Sequence, residues 1–120
     1  MITEILEKEQ ATLGNLLDGI AEVYIDPLAA VATLESGSNV CLLSDPTIAP
    51  NGLRTGSIEF TFTVLLAVPG DVVTGRDFFG NALIALLPLG YPDAHPQSTT
   101  FGERKNYFSY SLTYKADYEI

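Results

Sequence analysis

Between Ser57 and Val68 the chain reads SIEFTFTVLLAV, and Ile58, Phe60, Phe62, Val64, Leu66 and Val68 take every second position. Side chains of a strand point to opposite faces in turn, so these apolar groups share one face. Ser57, Glu59, Thr61 and Thr63 occupy the other, until Leu65 and Ala67 end its polar character. β-branched and aromatic residues dominate, and neither Gly nor Pro interrupts the run, as in a central strand. At about 3.3 Å per residue it spans roughly 40 Å, well beyond an average strand. An apolar face of that length needs a cover, and the sequence offers two helices for it.

The first helix is carried by Ile2, Ile5, Leu6, Leu13, Leu16, Leu17 and Ile20, which recur at amphipathic spacings and predict a helix over 3–18. Thr3 is its candidate cap, Glu4 and Glu7 suit the positive end of its dipole, and Gly19 is its stop. Gly14 opposes it by about 1 kcal/mol. The second helix opens at Thr74-Gly75-Arg76-Asp77, a capping box with Asp in place of the usual Glu or Gln. Phe78, Phe79, Ala82, Leu83, Leu86 and Leu87 form its apolar stripe, and Pro88 and Gly90 stop it. This helix is expected to lie across the face presented by the long strand.

The remaining segments are shorter. Residues 22–25, EVYI, read as a strand closed by Asp26-Pro27, and Val40–Leu43 as a buried strand. Residues 28–35, LAAVATLE, fit a helix or an extended segment equally. Residues 36–39 are a loop. The stretch 45–56, DPTIAPNGLRTG, is dense in turn residues and reads as a long connection, and 89–101 reads as a Pro-rich loop. Residues 106–114 alternate again, with Phe108, Tyr110, Leu112 and Tyr114 on one side and Tyr107, Ser109, Ser111 and Thr113 on a half-exposed other side. The tail ADYEI extends this strand or frays. No internal repeat is present. The expected fold is a single α+β domain over residues 1–120, a mostly antiparallel sheet with two helices packed on one face.

Fifteen Asp and Glu stand against six Lys and Arg, a net charge of −9. That disfavours binding to a phosphate backbone, which rests on Lys and Arg displacing counterions, and equally disfavours an anionic membrane surface. Cys41 is alone, so no intrachain disulfide forms, and its apolar setting reads as a small buried hydrophobe. The opening MITEILEKEQ has acids where a signal peptide has bases, and no run approaches ~18 apolar residues. A soluble protein made in a reducing compartment is expected.

Catalytic chemistry finds little support, so no catalytic residue, metal ligand or cofactor is assigned and no enzymatic activity is expected. His95 is the only histidine and lies between prolines without metal-ligand spacing. Asp71 and Asp77 suit dipole stabilisation of the second helix better than paired acid–base work. Neither G-x-G-x-x-G nor a P-loop occurs. Arg54 and the pair Arg104-Lys105 are positive spots on an acidic chain, either solvated loop charge or partners for carboxylates on a neighbouring subunit.

Taken in order, EVYIDP, NVCLLSDP, RTGSIEFTFTVLLAV, RDFFGNALIALLPLG and NYFSYSLTYKADYEI, behind an opening amphipathic helix, resemble the tail terminator (tail completion) proteins of long-tailed bacteriophages. The resemblance covers most of the chain at the level of pattern. It implies a homo-hexameric ring that caps the tail tube, stops its polymerisation and joins the tail to the head connector or stopper protein. Its partners would be other copies of itself, the tube protein and the connector. DNA would only pass through the lumen, and the location would be the tail–neck junction of the virion after synthesis in the host cytoplasm. Such a ring is a closed heterologous assembly, and an acidic lumen would repel DNA. Ring contacts are expected in 45–56, with Asn51, Leu53, Arg54 and Thr55, and in 97–106, with Glu103, Arg104 and Lys105, next to Tyr107 on the exposed strand face. Other readings are another neck, head–tail joining or minor tail protein, or a small cytosolic ligand-binding α+β domain using Cys41 with His95. An adaptor that pairs sheet edges with a partner is a further one.

Overall fold

The alternating run forms the middle of the protein. The structure, a computed structural model, describes residues 1–50, 56–101 and 105–119. In chain order the elements are α1 (Ile2–Leu16), β1 (Glu22–Tyr24), α2 (Pro27–Glu35), β2 (Val40–Leu43), β3 (Thr47–Pro50), β4 (Ser57–Val68) and α3 (Val72–Ala85). A 3-10 turn (Leu87–Leu89), β5 (Ala94–Phe101) and β6 (Lys105–Glu119) follow. The fold is α+β, built on one sheet of order β1-β2-β4-β6-β5, with β3 beside the first half of β4. Among the described residues only β1 and β2 run parallel; every other pair is antiparallel.

β4 and β6 are in register from Ser57 opposite Glu119 to Val68 opposite Phe108. Phe60, Phe62, Val64 and Leu66 are fully buried on one face, where Ile5, Leu6, Leu13 and Leu17 of the α1 segment and Phe78, Phe79, Ala82 and Leu86 of the α3 segment cover them. Both expected helices therefore roof the same face. A third helix, α2, lies on the other face, where Ala30 and Leu34 pack with Val40, Leu42, Ala67 and Tyr107. The ambiguity of 28–35 is thus resolved as helix, and local chemistry explains it. Asp26 is extended, as a residue before proline prefers, and its carboxylate accepts the Leu28 N–H at 3.0 Å, with Pro27 at the first helical position.

Other boundaries differ from the sequence reading. Met1, not Thr3, is the N-cap of α1, and no side chain caps it. α3 begins at Val72, so Thr74 lies inside the helix rather than at its cap. Leu87 leaves the apolar stripe for the 3-10 turn, where it is 60% exposed, and Gly90 ends that turn at φ 74°. The connection 45–56 contains β3, paired from Thr47 opposite Thr61 to Pro50 opposite Ile58. The supposed loop 89–101 contains β5, paired along β6. Pro50 and Pro96 fit both strands because each lies at a sheet margin, where a missing N–H need not break a ladder.

α3 lies close against the sheet at Gly75. A Cβ there would fall 2.9 Å from Phe79 Cε2 and 2.9 Å from Val68 Cγ2. Overpacking costs of about 1–3 kcal/mol exceed the gain of about 1 kcal/mol in helix propensity. Gly75→Ala is therefore expected to destabilise the protein by about 1 kcal/mol in urea unfolding, although the same change in an exposed helix stabilises.

Candidate functional site

Of the residues that the sequence nominated for contacts, Asn51, Leu53, Arg54, Thr55, Glu103 and Arg104 lie outside the described residues. Lys105 opens β6 with its backbone opposite Phe101, and its side chain is likewise outside them. Tyr107 requires a correction: it is 2% exposed, packed with Ala30, Leu34 and Val40 beneath α2. Alternation assigned it correctly to the side opposite Phe108, but α2 covers that side at this point.

Cys41 and His95 are not brought together. Cys41 is in β2 and His95 in β5, three strand spacings apart, about 14 Å. The Cys41 side chain faces the α1/α3 layer, whereas His95 pairs in register with Ser111 on the opposite face. His95 Nε2 is 3.0 Å from Asp93 Oδ1, an exposed neighbour. Burial pushes the Cys41 thiol up to about 12. At pH 8 roughly one molecule in ten thousand would then carry the thiolate, the reactive form. A thiol-titrating disulfide reagent is expected to react with the native protein far more slowly than with protein unfolded in urea.

A buried acid was missed from sequence. Glu9 of α1 is 8% exposed, and its carboxylate accepts from the Tyr114 hydroxyl at 3.0 Å and the Tyr118 hydroxyl at 2.6 Å. The Lys8 ammonium lies 5.3 Å from the centre of the Tyr118 ring. Burial, then the charge and hydrogen bond of Glu9, push the Tyr114 phenol up; burial, then the Glu9 hydrogen bond, do the same for Tyr118. The signal was available: Glu9 sits four residues after Ile5 and four before Leu13, on the apolar stripe itself. The cluster clasps α1 to β6.

An open groove of about 930 Å³ runs between the end of α1, β1 and the end of α2, lined in part by Gln10, Gly14, Asp18 and Asn39. Several of its polar groups are paired within the chain. Gln10 Nε2 donates to the Val23 carbonyl at 2.7 Å, and the Tyr24 hydroxyl donates to Glu22 at 2.6 Å while lying 2.9 Å from Thr33 Oγ1. Among the described residues no three His, Cys, Asp or Glu side chains converge on a metal position, and no helix is long and apolar enough to cross a membrane.

What the described surface does present is sheet. Beyond the reach of α2, the second face carries Thr47, Glu59, Thr61, Thr63, Ser111, Thr113 and Lys115 at exposed or half-exposed positions. Such a face, with strand edges beside it, can pair with another chain. No protein-family model and no curated protein sequence matches this chain.

Proposed function

We propose that the chain is a structural protein of a long-tailed phage virion, forming a ring that caps the tail tube, halts its polymerisation and joins it to the head connector. The observation that supports this reading best is the spine of β4 and β6. Twelve consecutive residues of β4 are in register with β6, and one face of this ribbon is left polar and uncovered over much of its length. A rigid ribbon with an accessible face and margins suits contact with like copies, as a closed ring requires. The net charge of −9 suits a lumen through which DNA passes without adhering. Arg54, Arg104 and Lys105 are the cations assigned to meet carboxylates of the neighbouring subunit.

The test is reconstitution with the tube protein encoded in the same genome. Tubes polymerised with this chain should have their growth arrested and show a ring at one end by electron microscopy. Tubes that lengthen unchecked, with none of this chain bound at their ends, would refute the proposal.

A further inference from the structure

β5 accompanies β6 only as far as Ala94 opposite Leu112, whereas β4 follows it to Glu119. From Thr113 to Tyr118 the outer edge of β6 therefore meets no strand among the described residues. A row of backbone donors and acceptors in this state is a template for another strand. The residues along it are TYKADY, 113–118.

This segment is complementary to itself when reversed. Laid antiparallel about Ala116, Lys115 faces the Asp117 of a second copy and Tyr114 faces its Tyr118. The charge pattern selects that register. Sliding by two residues, the smallest shift that keeps faces matched, sets Lys115 against Lys115 in one direction and Asp117 against Asp117 in the other.

The charges within one chain point the same way. Glu59 lies directly opposite Asp117, and like charges so placed repel. Lys115 Nζ is 3.4 Å from Glu59 Oε1, so the exposed ammonium of this chain lies against Glu59 rather than Asp117. A second copy in this register brings another ammonium to Asp117. We propose that β6 pairs with β6 of a second copy about Ala116, joining two sheets across a two-fold axis. Such an isologous contact consumes both edges and does not propagate, which guards the bare edge against open-ended pairing. The inference does not rest on the ring reading, whose assigned subunit contacts are Arg54, Arg104 and Lys105.

Sedimentation of the full chain through a dilution series tests it. Wild type should dissociate reversibly from dimer to monomer. Lys115→Glu and Asp117→Lys should each weaken the dimer about tenfold or more, because two attractive cross-strand pairs become repulsive. The double variant K115E/D117K should recover it, since opposite charges face again. Circular dichroism checks that each variant folds, and a second variant is independent of charge. Ala116→Cys places two thiols on the axis, and with Cys41 fully buried it should give a covalent dimer on mild oxidation. A wild-type monomer at every concentration, an assembly indifferent to both charge variants, or a double variant as weak as the singles would overturn the proposal. So would A116C that stays monomeric under oxidation.

Discussion

Phe62→Ala is expected to lower the free energy of unfolding by about 3–5 kcal/mol, while Thr63→Ala, its neighbour in β4, changes it by less than about 0.5 kcal/mol. Phe62 is fully buried beneath the helical layer, stacked on Tyr114 at 5.3 Å between ring centres and on Phe60 at 6.1 Å. Truncation removes apolar area from the core and leaves a void whose walls are β4, β6 and the helices, none of which can collapse without breaking register. Thr63 points the other way, at a half-exposed position. Urea unfolding of both variants checks the contrast. Equal losses at the two positions would mean that the faces of β4 are not distinguished as described.

The same contrast explains what was legible before any coordinates. β4 runs from Ser57 to Val68 as its alternation requires, because a strand buried on one face must write that burial into every second residue. α1 and α3 were legible for the equivalent reason at helical spacing. β3 and β5 were not. TIAP is exposed throughout, and the described side chains of AHPQSTTF after Ala94 are exposed too, so neither strand needs an apolar pattern. They are strands because β4 and β6 lie beside them with backbone groups to pair, which is a property of the partner.

α2 was undecided because LAAVATLE satisfies two geometries, and the choice fell to the Asp26 cap and to the face left for it by the sheet. Tyr107 was misplaced for a related reason. Alternation says which side chains share a face, and only the packing of a third element says whether that face is covered. Of the nominated contact residues, Tyr107 is the one whose side chain is described, so that group was legible as loop chemistry and no further.

Glu9→Ala is the second large effect expected, a loss of about 2–4 kcal/mol. Two phenol donors lose a shared carboxylate, hydrogen bonds to charged groups contribute about 1.5–3 kcal/mol each, and removing the buried acid returns part of its desolvation cost. The contact also joins residues more than a hundred positions apart, α1 to β6, so its loss loosens the roof over Phe62. Replacing all three partners with apolar groups, as in E9L/Y114F/Y118F, should recover most of the loss, because no buried polar group is then stranded.

The pH dependence follows from the same cluster. Both phenols are pushed up in the folded protein, so the folded state holds protons that the unfolded state releases near pH 10. Unfolding then releases protons, and stability must fall as pH rises: complete below about pH 10, it declines above, by about 1.4 kcal/mol per pH unit for each shifted phenol. Tyr118 is the more solvated of the two and contributes the smaller share. Urea unfolding between about pH 8 and about pH 11 should show this decline in wild type and a shallower one in Y114F/Y118F, the phenol unfolding near pH 10 being the reference. Parallel curves for the two proteins would mean that Glu9 does not hold the phenols in their protonated form, and the clasp between α1 and β6 would have to rest on packing alone.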